Sequence, residues 1–214
     1  MLFNLDPPTL IARIITLIVA FSVHEFAHAW TADQLGDGTP RMNGRLTLNP
    51  LAHLDIFGSL LLLLTGFGWA KPVPVNPYAL RRQTPAGMMI VAAAGPLSNL
   101  LLAILAAVPF KLGLISLYDS MGTPLPYLSF ILQEFIFINL ILLFFNLIPI
   151  FPLDGEKVAE YLLPPNGQDT LLRLRPYGPM ILMALLFILP MVGLNVFSWL
   201  VGWPANRIFA LLVQ

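Results

Sequence analysis

The chain has 214 residues, 57% of them hydrophobic and only 10% charged, with a mean hydropathy of +0.81. Soluble domains carry about a quarter charged residues, so this composition excludes a water-soluble globular protein and points to one embedded in a bilayer. Eleven basic residues balance eleven acidic ones, leaving no net field for nucleic acid, and the lack of cysteine excludes disulfides and thiolate metal sites.

A membrane-crossing helix needs about 20 mostly apolar residues. The N-terminal MLFNLDPPTL has neither a basic n-region nor a small-residue cleavage site and is not read as a signal peptide. Leu10 to Thr31 is the first run of spanning length. Gly58 to Trp69 is apolar but too short to cross and is expected to be re-entrant or interfacial. It leads into AKPVPVNP, where alternating prolines favour extended backbone. Phe67 to Pro77 is therefore expected to form a hairpin-like loop dipping against the helices, because non-helical backbone survives at membrane depth only when shielded.

Pro85 to Phe110 and Tyr127 to Phe151 read as further spans, and Tyr177 to Val192 and Asn195 to Leu212 as a shorter pair joined at Gly193. The expectation is an all-α polytopic membrane protein with about five transmembrane helices, a re-entrant segment and a β-like loop. With the N-terminus outside, inner loops carry Arg41, Arg45, Lys71, Arg81, Arg82, Lys157, Arg173 and Arg175, against Lys111 outside. The positive-inside rule favours that orientation. Trp30, Trp69, Trp199 and Trp203 fall near span ends, as interfacial aromatics do.

Inside the first run stands HEFAH, His24 to His28. Residues four apart share a helix face, so both imidazoles can reach one ion, while Glu25 lies about 100° round and can reach a water on that ion. This is the pattern of zinc hydrolases, two ligands beside a proton-accepting carboxylate. With three histidines and four glutamates in the chain, chance yields the pattern about once in a thousand such sequences. A structural polar cluster has no need of this spacing.

A catalytic zinc requires a third protein ligand and an open position. Asp154 in NLIPIFPLDGEK is one candidate, placed where Pro149 and Pro152 break the helix; His53 in NPLAHLDIFGS is the other. Spacing alone does not choose between them. Asn139 lies seven residues before Asn146 on the same helix face, where it either lines the cleft or makes an interhelical hydrogen bond. Asp55 reads as a local turn residue. Glu134, within the third span, is either a buried paired acid or an interfacial one, and Arg13 is expected to snorkel outward.

HExxH in the first span, combined with Asn146, Pro149, Leu153, Asp154 and Gly155 near the end of a later one, resembles the site-2 protease family of intramembrane zinc metalloproteases. AAAGPLSN, with Gly95, Pro96 and Asn99, is similar to the family's small-residue motif, and GWAKPVPVNP to its membrane-dipping β-loop. The resemblance covers about residues 20 to 160 and suggests a compact prokaryotic-type member without PDZ or CBS domain. It implies one Zn2+ per chain, held by His24, His28 and Asp154, with Glu25 and Asn146 catalytic. His53 and Asn99 would then support the ligands or gate substrate, and Trp69, Lys71, Val73 and Val75 would belong to a substrate loop.

On this reading residues 1–214 form a single intramembrane protease domain, with a catalytic core of about 9–160 and a C-terminal helix pair at 177–213. It is expected to be a multi-pass cell-membrane enzyme whose site faces the cytoplasmic side and cuts transmembrane proteins or peptides. The last two helices could also pack on a second copy. The competing reading is a metal-ion carrier or non-catalytic metal-binding protein, which would have no use for Glu25 beside two imidazoles.

Overall fold

The computed structural model describes residues 6–55, 57–58, 68–117 and 127–214. The re-entrant run expected from Gly58 lies mostly outside these residues, as does Phe67 of the expected loop. Among the described residues four helical stretches are long and apolar enough to cross a membrane: Pro7–Gln34, Gly87–Lys111, Leu128–Asn146 and Pro165–Met191. This makes the protein an all-α polytopic membrane protein. The last expected span, Asn195 to Leu212, is helical but short, a π-helical turn at Ser198–Gly202 running into Trp203–Val213.

Helix α1 (Pro7–Gln34) begins on two prolines, which fit the first turn of a helix because their missing N–H groups would be unpaired there anyway. The side chain of Asp6 caps it by accepting from the Thr9 amide. Three short helices follow: α2 (Thr39–Met42), α3 (Pro50–His53) and α4 (Pro77–Gln83). Then come α5 (Gly87–Lys111) and α6 (Leu128–Asn146). α7 (Asp154–Leu162) and α8 (Pro165–Leu174) lead to α9 (Gly178–Met183) and α10 (Leu189–Met191), joined by a π-helical turn, and α11 (Trp203–Val213) closes the chain.

Helices α1, α5 and α6 pack on one another, and α11 lies against α5 and α6. Lipid offers no hydrophobic drive for helices to associate, so close approach through small residues must supply the packing energy. On α5 this is visible as two stripes. Ala103 and Ala107 are buried against Ile136, Leu140 and Leu143 of α6 and Ala205 of α11, while Leu97, Leu101, Leu105 and Val108 point outward.

The third span stops at Asn146 rather than at Phe151, because the following segment holds Pro149 and Pro152, which cannot donate backbone hydrogen bonds. The chain returns and starts α7 at Asp154. Gly155 allows the return: a Cβ there would collide with the backbone carbonyls of Leu147 and Ile148.

The segment before α4 is extended and clipped in place. Leu54 and Ala70 form an isolated antiparallel bridge, and the Lys71 amide donates to the His53 carbonyl at 2.7 Å. The buried Arg45 guanidinium donates to the carbonyls of Ala52, Lys71 and Pro72. Asp37, also buried, accepts from the Asn76 amide at 2.6 Å. Asp55 is the local turn residue expected of it, accepting from the Gly58 amide at 2.8 Å.

Glu156 on α7 is buried and held by Arg175, whose Nε donates at 2.6 Å and which also bridges to Glu160. Lys157 adds a weaker contact to Glu156 at 3.3 Å. Removing Arg175 leaves a buried carboxylate with only that lysine. Arg175→Ala should lower stability by about 2 kcal/mol, with Arg175→Lys recovering part of it, as read by thermal unfolding in detergent.

Candidate metal centre

His24 and His28 face α5 from adjacent turns of α1, and both are buried. The α5 residues opposite, Val91, Gly95 and Asn99, are themselves four apart and so share one face. The Val91 carbonyl lies 2.7 Å from His28 Nδ1, and Asn99 Oδ1 lies 2.6 Å from His24 Nδ1. Gly95 fills the space between: a Cβ there would come within 2.6 Å of His24 Nε2 and closer still to His28 Nε2. Only glycine lets α5 approach the imidazoles this way.

The proton positions follow from the hydrogen-bond network. A carbonyl only accepts, so His28 Nδ1 carries a proton. On the other side, Asn139 Nδ2 donates to the Phe135 carbonyl at 2.8 Å, which leaves Asn139 Oδ1 to accept from Asn99 Nδ2, also at 2.8 Å. Asn99 Oδ1 therefore faces His24 as an acceptor, and His24 Nδ1 must donate. Asn139 is fully buried. It makes the interhelical bond, not a cleft wall, and sets the tautomer of an imidazole it does not touch.

With both Nδ1 atoms protonated, both Nε2 atoms present bare lone pairs. They lie 3.0 Å apart, and Asp154 Oδ2 completes a triangle at 3.1 Å from His24 and 3.3 Å from His28. Electron-rich atoms packed this closely repel unless a cation lies among them. Ligand atoms about 2.0–2.1 Å from tetrahedral zinc stand about 3.3 Å from one another, close to the spacing seen. The residues fit a zinc ion, and among the described residues this is the cluster that could hold one.

A cavity of about 780 Å³ opens beside the triangle. Glu25 lines it and has no hydrogen-bond partner among the described residues, so its carboxylate is free to act there. Burial pushes the Arg45 guanidinium down from its ordinary value, and the charge of Glu25 works the other way. Asn146 lines the cavity as well, while its Nδ2 donates to the Leu142 carbonyl at 3.0 Å. Trp69, Val73 and Val75 form another wall.

Three expectations need correction. His53 is fully buried away from the cavity, with Nε2 against the Thr47 carbonyl at 2.7 Å, because α3 turns its ring back into its own loop. Lys71 is not among the residues that line the cavity, although its neighbours Ala70 and Pro72 are, and its amide donates to the His53 carbonyl. Arg13 does not snorkel outward: Glu134 on α6 lies 2.7 Å from its Nε, and the pair lines the cavity. Sequence reasoning missed the Asn139–Asn99–His24 relay because the partners are distant in the chain, although an asparagine in the apolar middle of each of two spans, Asn99 and Asn139, was the available signal.

If the relay holds the His24 tautomer, Asn139→Leu should weaken zinc binding about 10- to 100-fold without touching a ligand. Metal retained during titration with a competing chelator checks this, against wild type.

The model of peptidase family M50 matches residues 112–189. YwhC of Bacillus subtilis (strain 168), provisionally named a zinc metalloprotease, is 42% identical over 180 residues, covering 83% of this chain and 80% of its own. Rip2 of Mycolicibacterium smegmatis, named likewise, is 32% identical over 175 residues, covering 79% of this chain and 64% of its own. Rip2 of Mycobacterium tuberculosis (strain ATCC 25618 / H37Rv) is 29% identical over 191 residues, covering 86% and 68%. No solved structure matches. The similarity to YwhC runs through most of both proteins, and on that extent the chain belongs to peptidase family M50, the site-2 protease family.

Proposed function

We propose that the protein is an intramembrane zinc endopeptidase that hydrolyses peptide bonds in or near transmembrane segments of other proteins. The observation that carries the reading is the triangle of His24, His28 and Asp154 with a free carboxylate, Glu25, on the cavity beside it. A bound zinc would act as a Lewis acid and lower the pKa of water. His24, His28 and Asp154 would hold the ion, their orientation set by Asn99 and Val91.

Glu25 is suited to general base chemistry. It is buried enough to exclude bulk water, yet unpaired among the described residues, so it can take a proton from a water molecule and return it to the leaving amine. Asn146 lies on the same cavity and could turn its amide toward oxygen on which charge develops. In this role it would give up its bond to Leu142.

The extended segment supports a way of holding substrate. Helical peptide bonds are already hydrogen-bonded, so a substrate must unwind to be cut. Pro72, Pro74 and Pro77 have no N–H, Lys71 is paired to His53, and Asn76 is paired to Asp37. Val73 and Val75 remain, two apart on one edge and unpaired among the described residues. An unwound strand could add to that edge through those two amides.

Two measurements test the reading. Glu25→Gln should retain zinc at wild-type stoichiometry while cleavage of a model membrane substrate falls by at least a hundredfold; retained cleavage would refute the base assignment. If neither protein cleaves and metal instead moves across reconstituted vesicles, the carrier reading replaces the peptidase. Val73→Pro and Val75→Pro should each reduce kcat/KM about tenfold or more by removing one strand bond. Unchanged cleavage in both would rule out pairing on that edge.

A further inference from the structure

The cavity is a groove with two polar ends. Along α1 it is lined by Arg13, Leu17, Phe21, His24, Glu25 and His28, which fall within a stripe about 120° wide at 100° per residue. Along α6 it is lined by Glu134, Phe137, Ile138, Ile141, Leu142, Phe145 and Asn146, which occupy about half of the helix circumference. The middle is apolar. The metal triangle and Glu25 stand at one end, and the Arg13–Glu134 pair stands eleven residues before His24, about 16 Å along the helix axis.

The pair is only partly used. Nε of Arg13 meets Glu134 Oε2 at 2.7 Å, and among the described residues no other nitrogen of the guanidinium has a partner. The Arg13 side chain is 37% exposed and that of Glu134 17%. A guanidinium has five N–H donors and no acceptor. Water in the groove can satisfy the spare ones, but a segment that enters and displaces this water must replace its acceptors or leave charged donors unpaired.

We infer that Arg13 is a specificity-determining subsite, where a segment lying in the groove is selected for a hydrogen-bond acceptor, a carboxylate above all, at a set distance from the metal centre. A wholly apolar segment is penalised there, and one carrying Asp or Asn at the matching position is favoured. Glu134 holds the guanidinium across the groove and partly neutralises it, so that binding is selective without trapping the acid. At about 16 Å the matching position lies about eleven residues from the cut bond if the segment is helical and about five if extended.

The inference rests on the peptidase reading for the identity of the occupant, so binding and cleavage are measured separately. The probe is a fluorescent transmembrane peptide of leucine and alanine with one Asp, Asn or Leu guest, moved through the fourteen positions on either side of a fixed bond. Binding is followed in detergent micelles on Glu25→Gln protein, and cleavage on the wild type. One guest position should bind Asp about tenfold more tightly than Leu, with Asn between them. The double variant Arg13→Met/Glu134→Gln, which removes both charges together and strands neither, should lose the preference and bind the Leu peptide more tightly than the parent protein does, since no guanidinium donor is left to strand. Glu134→Gln alone should tighten the Asp peptide, since the internal carboxylate no longer competes.

A flat profile, a preference that survives the double variant, or no binding of any peptide overturns the subsite. Absence of cleavage alongside an intact preference counts against the peptidase reading and leaves the subsite standing.

Discussion

The organisation of this protein depends on three electron-rich atoms, two of them on buried imidazoles and one on a half-buried carboxylate, brought close enough to favour positive charge between them. In water the two Nε2 atoms and the Asp154 carboxylate would separate and hydrate. Here α1 and the start of α7 hold them about 3 Å apart, in surroundings that solvate lone pairs poorly. A cation shared by all of them would offset that cost and hold α7 to α1. The peptidase chemistry inferred here begins from that shared charge, and the elements around the site serve to hold these atoms in place.

Helix α5 does most of the holding. Its face presents a carbonyl at Val91, a gap at Gly95 and an amide at Asn99, meeting His28 and His24 in antiparallel register. The gap lets the helices close, and the two polar groups then become the partners of the Nδ1 atoms. Asn139 of α6 ties the third helix into the same arrangement through Asn99. Packing of small residues and orientation of the ligands are thus one construction: widening the α1–α5 approach would release both imidazoles.

The wall opposite is built on different terms. The segment before α4 contains too many prolines to hold itself by backbone ladders, and one buried arginine supplies donors to three carbonyls around it. That leaves Val73 and Val75, whose amides have no partner among the described residues, on the wall of a groove whose helical sides are mostly apolar. At the far end of the groove Arg13 and Glu134 introduce the charge that the apolar sides lack. A segment in the groove would therefore meet a pairing edge near the metal centre and a charged test of its composition farther off.

The amino-acid sequence by itself determined the solvent, the helical class and the pair of histidines that could share an ion. Hydropathy reflects burial in lipid directly, and the four-residue spacing of two histidines is a local property of one helix. The proline-broken motif around Asp154 was legible for the same reason, since proline acts on its own backbone. What only the tertiary structure decided were relations between distant residues. His53 and Asp154 were equal candidates by residue type, and packing turned one into its own loop while bringing the other to the imidazoles. Arg13 read as a residue reaching for the surface until α6 placed Glu134 beside it, and Asn139 acquired its role only through Asn99. Hydrogen bonds and ion pairs depend on ångström-scale placement of both partners, and no periodicity in a single segment records where the other partner will lie.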